Sequence, residues 1–280
     1  IASRDFKSLA STSFATQAKV GYGGDERNRT AVRGFADLCL TTRPRRRNNE
    51  LNGIPIQTQV QYPRIEEALD QAALNGLLRY DESGNLIHVP FSLSPFSISK
   101  VELHEMQQLT EPFSEMMLRV SRDRDFIREL LEPLAESDTF LHMLLGIGLR
   151  EETQTLQLLI QRNDFFLTDH KVSGTTLRQV ELNTIATSFP YLIERLMEIQ
   201  REHFADDSNL SKMLVPNSPL EMVVDAMAKA IQSYGNADGS MLTVIQPNET
   251  NRFDQLGLEQ KLRKKHGIRC LRNSLEEIGQ

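Results

Sequence analysis

Two polar clusters carry the residue types from which a site can be built. The first is Val180-Glu181-Leu182-Asn183-Thr184-Ile185-Ala186-Thr187-Ser188-Phe189. On an extended strand alternate side chains share a face, so Glu181 and Asn183 point one way while Val180 and Leu182 point to the core. A carboxylate beside an amide oxygen suits a hard cation such as Mg²⁺, which takes oxygen ligands. Thr187 and Ser188 follow at the strand's end, where α/β enzymes hold ligands. The plainer alternative is the polar outer face of an edge strand.

The second cluster is Gln246-Pro247-Asn248-Glu249-Thr250-Asn251-Arg252-Phe253-Asp254-Gln255. It follows a strand and leads into a helix, the position of a binding loop in a β-α-β unit. Glu249 suits an ammonium group, and Asn251 and Gln255 suit amides or carboxylates. The alternative is a capped turn, with Asp254 as N-cap or first-turn acid. Other motifs are weaker. The six histidines show no pair at metal-ligand spacing, and Gly21-Tyr22-Gly23-Gly24 lacks the Lys-Ser/Thr and helix of a phosphate loop. Lys261, Arg263, Lys264 and Lys265 read as a solvated helix end matched to its dipole. Cys39 and Cys270 fit neither a disulfide framework nor a zinc spacing, in keeping with a reducing compartment.

The elements that must position these clusters are legible from periodicity. Pro63 and the acids Glu66 and Glu67 open a helix with apolar Ile65, Leu69, Ala72, Ala73 and Leu77 at helical spacing. Asp81 to Asn85 is a turn, and Pro90 to Phe96 a proline-bracketed extended piece. Helices are expected over Ser99–Arg122, Asp125–Glu136, from Thr139, over Tyr191–His203 and over Pro219–Tyr234, with the methionines as core filler. Three successive strands are expected at Leu156–Ile160, Asp164–Thr168 and Leu177–Asn183, with Gly174 in the last turn. The chain then reads as strand Met241–Gln246, helix Asp254–His266 capped by Gly267, and strand from Ile268 to Leu271, the opening of an open α/β domain.

Composition sets the outer bounds. With 280 residues, 39% hydrophobic and 25% charged, the chain can bury a sizeable core. A net charge of -6 argues against a nucleic-acid partner, and no apolar run approaches the roughly 20 residues that span a bilayer. Residues 1–52 are rich in Ser, Thr, Gly and Arg without a sustained period. They read as a disordered or non-native extension, or else as an organelle transit segment, against which Asp25, Glu26 and Asp37 count. The chain opens on Ile1, so its N-terminal boundary is expected to be processed or artificial.

Together the clusters resemble eukaryotic glutathione synthetase. That family carries Glu-x-Asn-Thr-Ile-x-x-Ser-Phe on a strand, here Glu181 to Phe189, and Glu-x-Asn-x-Phe-Asp-Gln after a strand, here Glu249 to Gln255. Gln161-Arg162-Asn163-Asp164-Phe165 is similar to its Asn-Arg-Ser-Asp-Tyr segment. The likeness runs from about Tyr62 to the C-terminus. It implies an α+β / α/β fold of the ATP-grasp class, seen in part. Residues 53–238 would be the N-terminal part of the ATP-binding region, and 239–280 the truncated start of the substrate-binding domain.

The implied reaction joins γ-glutamylcysteine to glycine with ATP and Mg²⁺, through an acyl phosphate, in a homodimeric cytoplasmic enzyme. By residue-wise likeness Glu181 and Asn183 are Mg²⁺ and ATP ligands, and Arg162, Ser188, Glu249, Asn251 and Gln255 hold γ-glutamylcysteine. Ala186 stands where the family often has Ser. The family's later substrate-binding arginine and tyrosine, nucleotide lysines, third metal carboxylate and glycine-rich lid would lie beyond Gln280. The isolated chain is therefore expected to lack turnover. The alternatives are a truncated non-catalytic paralogue that binds γ-glutamyl peptides, and a dimerisation partner for a full synthetase.

Overall fold

The structure, a computed structural model, describes residues 65–279 apart from 94, 96–97, 151–155, 168–176, 186, 207–211, 213 and 237–238, together with the backbone of four earlier strands. Those strands are β1 (Thr12–Ala15), β2 (Gln17–Tyr22), β3 (Thr30–Ala31) and β4 (Ala36–Cys39). The expectations for Gly174, for Ala186 and for most of residues 1–52 lie outside the described residues.

Helix α1 (Ile65–Leu74) leads into a hairpin of β5 (Leu78–Tyr80) and β6 (Leu86–His88). The sequence shows the turn but not the short strands around it. Asp81 Oδ1 accepts the amides of Ser83 and Asn85 at 2.9 and 2.8 Å, and Gly84 takes the left-handed φ of 81° that closes the turn.

Helix α2 (Lys100–Arg122) opens on a capping box, in which Ser99 Oγ accepts the Glu102 amide and the Glu102 carboxylate accepts the Ser99 amide, both at 3.1 Å. Asp123 ends α2 and caps α3 (Arg124–Ala135) through the Phe126 amide at 3.0 Å. Helix α4 (Thr139–Gly148) packs on α3, and the pair leaves Phe126, Leu130, Leu134, Phe140 and Ile147 exposed.

Strands β7 (Leu156–Leu167) and β8 (Leu177–Asn183) form the antiparallel ladder beneath α2. They complete a four-stranded sheet of order β3-β2-β7-β8. Two of the three expected strands are thus one continuous strand. Gln161, Arg162 and Asn163 resemble a polar turn, but Gln161 and Asn163 are fully buried. The Gln161 amide donates to Ser114 Oγ at 2.8 Å and to the Thr110 carbonyl at 3.3 Å. Thr110 and Ser114 on α2 therefore supply partners that let the Gln161 amide nitrogen go inside. Phe165 continues the same face into an apolar cluster with Met106 and Leu177.

Helices α5 (Pro190–His203) and α6 (Pro219–Tyr234) follow, then β9 (Met241–Ile245), α7 (Arg252–His266), β10 (Cys270–Ser274) and the short α8 (Leu275–Ile278). β9 and β10 pair in parallel from Met241↔Cys270 to Ser274↔Ile245, with α7 as the crossover. β10 begins two residues later than expected. Gly267 closes α7 with φ 69°, as a residue without a Cβ does at little cost.

Leu220, Val224, Ala228 and Leu262 bury the α6–α7 seam, and Ala72, Leu77 and Ile199 bury α1 on α5. Each large side chain so buried contributes roughly 1.5–3 kcal/mol. The basic run of α7 is not an anion site. Lys261 and Lys265 pair with Glu221, and Lys265 and His266 with Asp225, so the run ties α7 to α6. Among the described residues no helix is long and apolar enough to cross a membrane.

Candidate functional site

The β7–β8 register places the first group of candidates together. Arg162 lies opposite Asn183, and Asp164 opposite Glu181. These four side chains leave the sheet on the face away from α2, because Gln161, Asn163 and Phe165 occupy the other. Arg162 grips Asp164 through two hydrogen bonds, Nε to Oδ1 at 2.9 Å and Nη2 to Oδ2 at 3.1 Å. The Asn183 amide donates to Glu181 Oε1 at 2.9 Å, and Arg162 Nη2 reaches the same oxygen at 3.5 Å.

Environment separates the two carboxyls. Burial pushes Asp164 up, against the pull of Arg162, and the neighbouring Glu181 adds to the rise. The exposed Glu181 is held below its ordinary value by the Asn183 amide and then by Asp164. One expectation fails here. Val180 was placed in the core but is 43% exposed. The register shifts between Asp164 and Phe165, which face Glu181 and Gln179, so Val180 is the extra residue of a bulge.

The segment after β8 is bent sharply. Ser188 and Phe189 take φ of 44° and 78°, left-handed values that non-glycine residues seldom adopt. Two groups hold the bend. Arg162 Nη1 donates to the Thr187 carbonyl at 3.2 Å, and its guanidinium lies 5.8 Å from the Phe189 ring centroid. From the second cluster, the Asp254 carboxylate accepts the amides of Phe189, Tyr191 and Leu192 at 2.5, 3.0 and 3.2 Å. Asp254 is the first-turn acid of its own helix, as the alternative reading had it, and its carboxylate also caps α5, whose N-cap residue Phe189 offers no side-chain cap. Burial raises its pKa to about 6.

The second cluster forms a tight loop. Glu249 Oε1 accepts the Asn251 amide at 2.8 Å, and Asn248 has a φ of 58°. The Thr250 carbonyl accepts the Tyr80 amide at 3.1 Å, and the Tyr80 ring lies 6.0 Å from that of Phe253. Gln255 Oε1 accepts Arg272 Nη2 at 2.7 Å, and Arg272 also binds Glu259. The structure therefore joins Arg162, Glu181 and Asn183 directly. It links their cluster to the Glu249–Gln255 loop through the Ser188–Phe189 bend and Asp254.

No three His, Cys, Asp or Glu side chains converge among the described residues. The oxygen set of Asp164, Glu181 and Asn183 nevertheless fits Mg²⁺, which is held by one or two carboxylates with water and phosphate completing the shell.

The family model for the eukaryotic glutathione synthase ATP-binding domain matches residues 60–276. The chain belongs to the eukaryotic glutathione synthase family. The chloroplastic glutathione synthetase of Arabidopsis thaliana is 31% identical, over 76% of this chain and 42% of its own length. The glutathione synthetase of Dictyostelium discoideum is 30% identical, over 77% and 49%. That of Xenopus laevis is 30% identical, over 75% and 47%. The chain thus spans somewhat under half the length of these glutathione synthetases. A solved glutathione synthetase-like effector of Globodera pallida, in its apo form, superposes with a TM-score of 0.60 at 22% identity, over 76% of this chain and 49% of that one. At that identity the likeness speaks for the fold alone.

Sequence reasoning did not assign Asp164, Arg272 or the partner of Asp254. Asp164 carries a signal, since it lies two residues from Arg162 and so shares its strand face. Arg272 and the α5 cap carry none, because both depend on elements that only tertiary packing brings together.

Proposed function

We propose that the chain forms the metal-side and γ-glutamylcysteine-side half of an ATP-dependent ligase that makes glutathione. The Arg162–Asp164–Glu181–Asn183 cluster carries this reading. It sets a guanidinium beside an oxygen-rich face, on the two strands that bear the family's motifs. Arg162 suits a substrate carboxylate, with Asp164 fixing its plane. Ser188 and Gln255 supply hydrogen bonds, while Glu249 and Asn251 receive the substrate's ammonium and amide. Glu181 and Asn183 face the nucleotide and hold Mg²⁺, which neutralises charge on the phosphoryl oxygens.

The γ-phosphoryl of ATP passes to the cysteinyl carboxylate, giving ADP and an acyl phosphate. The glycine nitrogen then forms a bond to the carbonyl carbon and gives up its proton as the bond to phosphate breaks. In this reading β9–α7–β10 opens the substrate-binding domain near residue 239. The reaction belongs in a reducing cytoplasm, with an organelle as the alternative, for which the chloroplastic name of one relative speaks.

The test is calorimetry of γ-glutamylcysteine and of Mg·ATP on the chain, with a glutathione assay alongside. Binding of γ-glutamylcysteine without turnover is the expected result, since the chain spans 42–49% of the relatives compared. Glutathione release by the chain alone would remove the claim of inactivity, and absence of all binding would remove the ligase reading.

A second reading rests on the exposed apolar side chains of α3 and α4. There the chain pairs with a second copy or with a full synthetase, as a non-catalytic γ-glutamyl peptide binder or dimer partner. A sedimentation mass at the monomer value, with and without synthetase, would exclude it.

A further inference from the structure

Gln255 closes the second motif, and its amide is oriented from behind by residues that lie outside both motifs. Gln255 and Glu259 stand four residues apart on α7 and so share a helix face. Thr243 of β9 and Arg272 of β10 are direct partners in the parallel pair, and both reach that face. Thr243 Oγ1 donates to Glu259 Oε1 at 3.0 Å, and Arg272 Nη1 donates to the same oxygen. Arg272 Nη2 donates to Gln255 Oε1 at 2.7 Å. Glu259 is 3% exposed, so its charge is answered inside the protein and anchors the guanidinium there.

The orientation of the Gln255 amide follows. A guanidinium offers N–H groups alone, so it meets the oxygen of a carboxamide and not the nitrogen. With Oε1 turned to Arg272, Nε2 is turned away from it, and among the described residues no protein group accepts from that nitrogen.

We propose that Arg272, braced by Glu259, is a positioning residue that makes Gln255 a hydrogen-bond donor only, so that the ligand group Gln255 takes is an acceptor, a carboxylate or carbonyl oxygen, and not an ammonium. The role of Gln255 toward γ-glutamylcysteine rests on the function proposed above, whereas the hold of Arg272 on its amide does not.

A free glutamine side chain rotates and serves a donor or an acceptor equally well. Arg272 removes that freedom in two ways. It occupies the amide oxygen with a charge-assisted hydrogen bond. Its positive charge also repels an ammonium that approaches the same oxygen. Glu249, at the start of the same motif, has the opposite polarity, because an ionised carboxylate only accepts. A brace that merely tied β10 to α7 would contain the same bonds. What separates the two roles is whether the loss of Arg272 is felt through Gln255.

The experiment uses the whole chain. Removing Arg272 by itself would strand the buried Glu259 charge, so the variant carries Glu259→Met and Arg272→Met together, which removes the pair as a unit. Side-chain NMR relaxation of the Gln255 amide comes first, since it needs no ligand. The expected order parameter is about 0.85 in the unmodified chain and under about 0.6 in the paired variant. Calorimetry with γ-glutamylcysteine follows. The paired variant should bind about 3- to 10-fold more weakly, the cost of ordering one rotamer-rich side chain on binding. In a Gln255→Ala background the same two substitutions should lower the affinity no further. Gln255→Glu should lower it about tenfold or more, because Arg272 then holds a carboxylate and no N–H faces the ligand.

A Gln255 amide as mobile in the unmodified chain as in the paired variant overturns the proposal. A loss of affinity that persists in the Gln255→Ala background overturns it too, and leaves Arg272 a brace alone. So does a Gln255→Glu chain that binds as tightly as the unmodified one. If γ-glutamylcysteine binds no form of the chain, the ligase reading falls, and the relaxation measurement by itself decides whether Arg272 holds Gln255.

Discussion

Arg162 and Asn183 are direct partners in the β7–β8 ladder, and their side chains converge on one carboxylate, Glu181. The pairing explains why residues far apart in sequence act as a unit. It also makes Arg162 sensitive to changes that preserve its charge. A lysine offers no planar fork, so Arg162→Lys loses the paired bonds to Asp164. We expect γ-glutamylcysteine affinity to fall about 10- to 100-fold, the value of one or two charge-assisted hydrogen bonds, when read by calorimetry.

Glu181 is the natural probe of cation binding. Its carboxyl is held below its ordinary value by the Asn183 amide and then by Asp164. Mg²⁺ with ATP should raise the melting temperature of the chain, and Glu181→Gln should abolish that rise while leaving the melting temperature without metal nearly unchanged. An equal rise in the variant would remove Glu181 from the metal site.

Asp254 gives a stability prediction with an unusual sign. Its folded pKa, about 6, lies above the ordinary 3.8. The folded state therefore holds the proton more tightly than the unfolded chain. The stability this group contributes is complete below about pH 4 and is lost as the pH rises through about 6, on the order of 3 kcal/mol in all. Urea denaturation of Asp254→Asn against the unmodified chain checks this. The variant should gain relative stability between about pH 5 and about pH 7, even as the start of α5 loosens.

Gly257 is where α7 meets Tyr191. A Cβ at this position would overlap the Tyr191 ring. Gly257→Ala should cost about 1–3 kcal/mol or more by urea denaturation, although alanine is the better helix former. A neutral result would show that the ring can move aside.

Leu262 is fully buried in the α6–α7 seam. Leu262→Ala should cost about 2–5 kcal/mol, a cavity effect measurable in the same denaturation series.

Helices were the most legible part of the sequence. Pro219–Tyr234 has the expected bounds, and α2 starts from the Ser99 cap that the sequence displays. Apolar spacing and capping are local signals, and these helices obey them. The β7 strand was read as two because its buried partners, Thr110 and Ser114, lie on α2, some fifty residues earlier. The same limit applied at the site. Glu181, Asn183 and Arg162 could be named from motifs, and the structure brings them together. The cap on α5 could not, since Asp254 looks like the start of its own helix and its true partners are backbone amides more than sixty residues away.

The alternation of β7 constrains more than residue identity. Gln161 and Asn163 turn to α2 while Arg162 and Asp164 turn away from it. Because the side-chain period of a strand is two, inserting or deleting a single residue upstream in β7 would swap these sets and carry the guanidinium beneath the helix. Length in this segment is therefore under as strict a requirement as chemistry. Substitutions at half-buried β7 positions can be absorbed more readily than an odd-numbered insertion or deletion inside the strand.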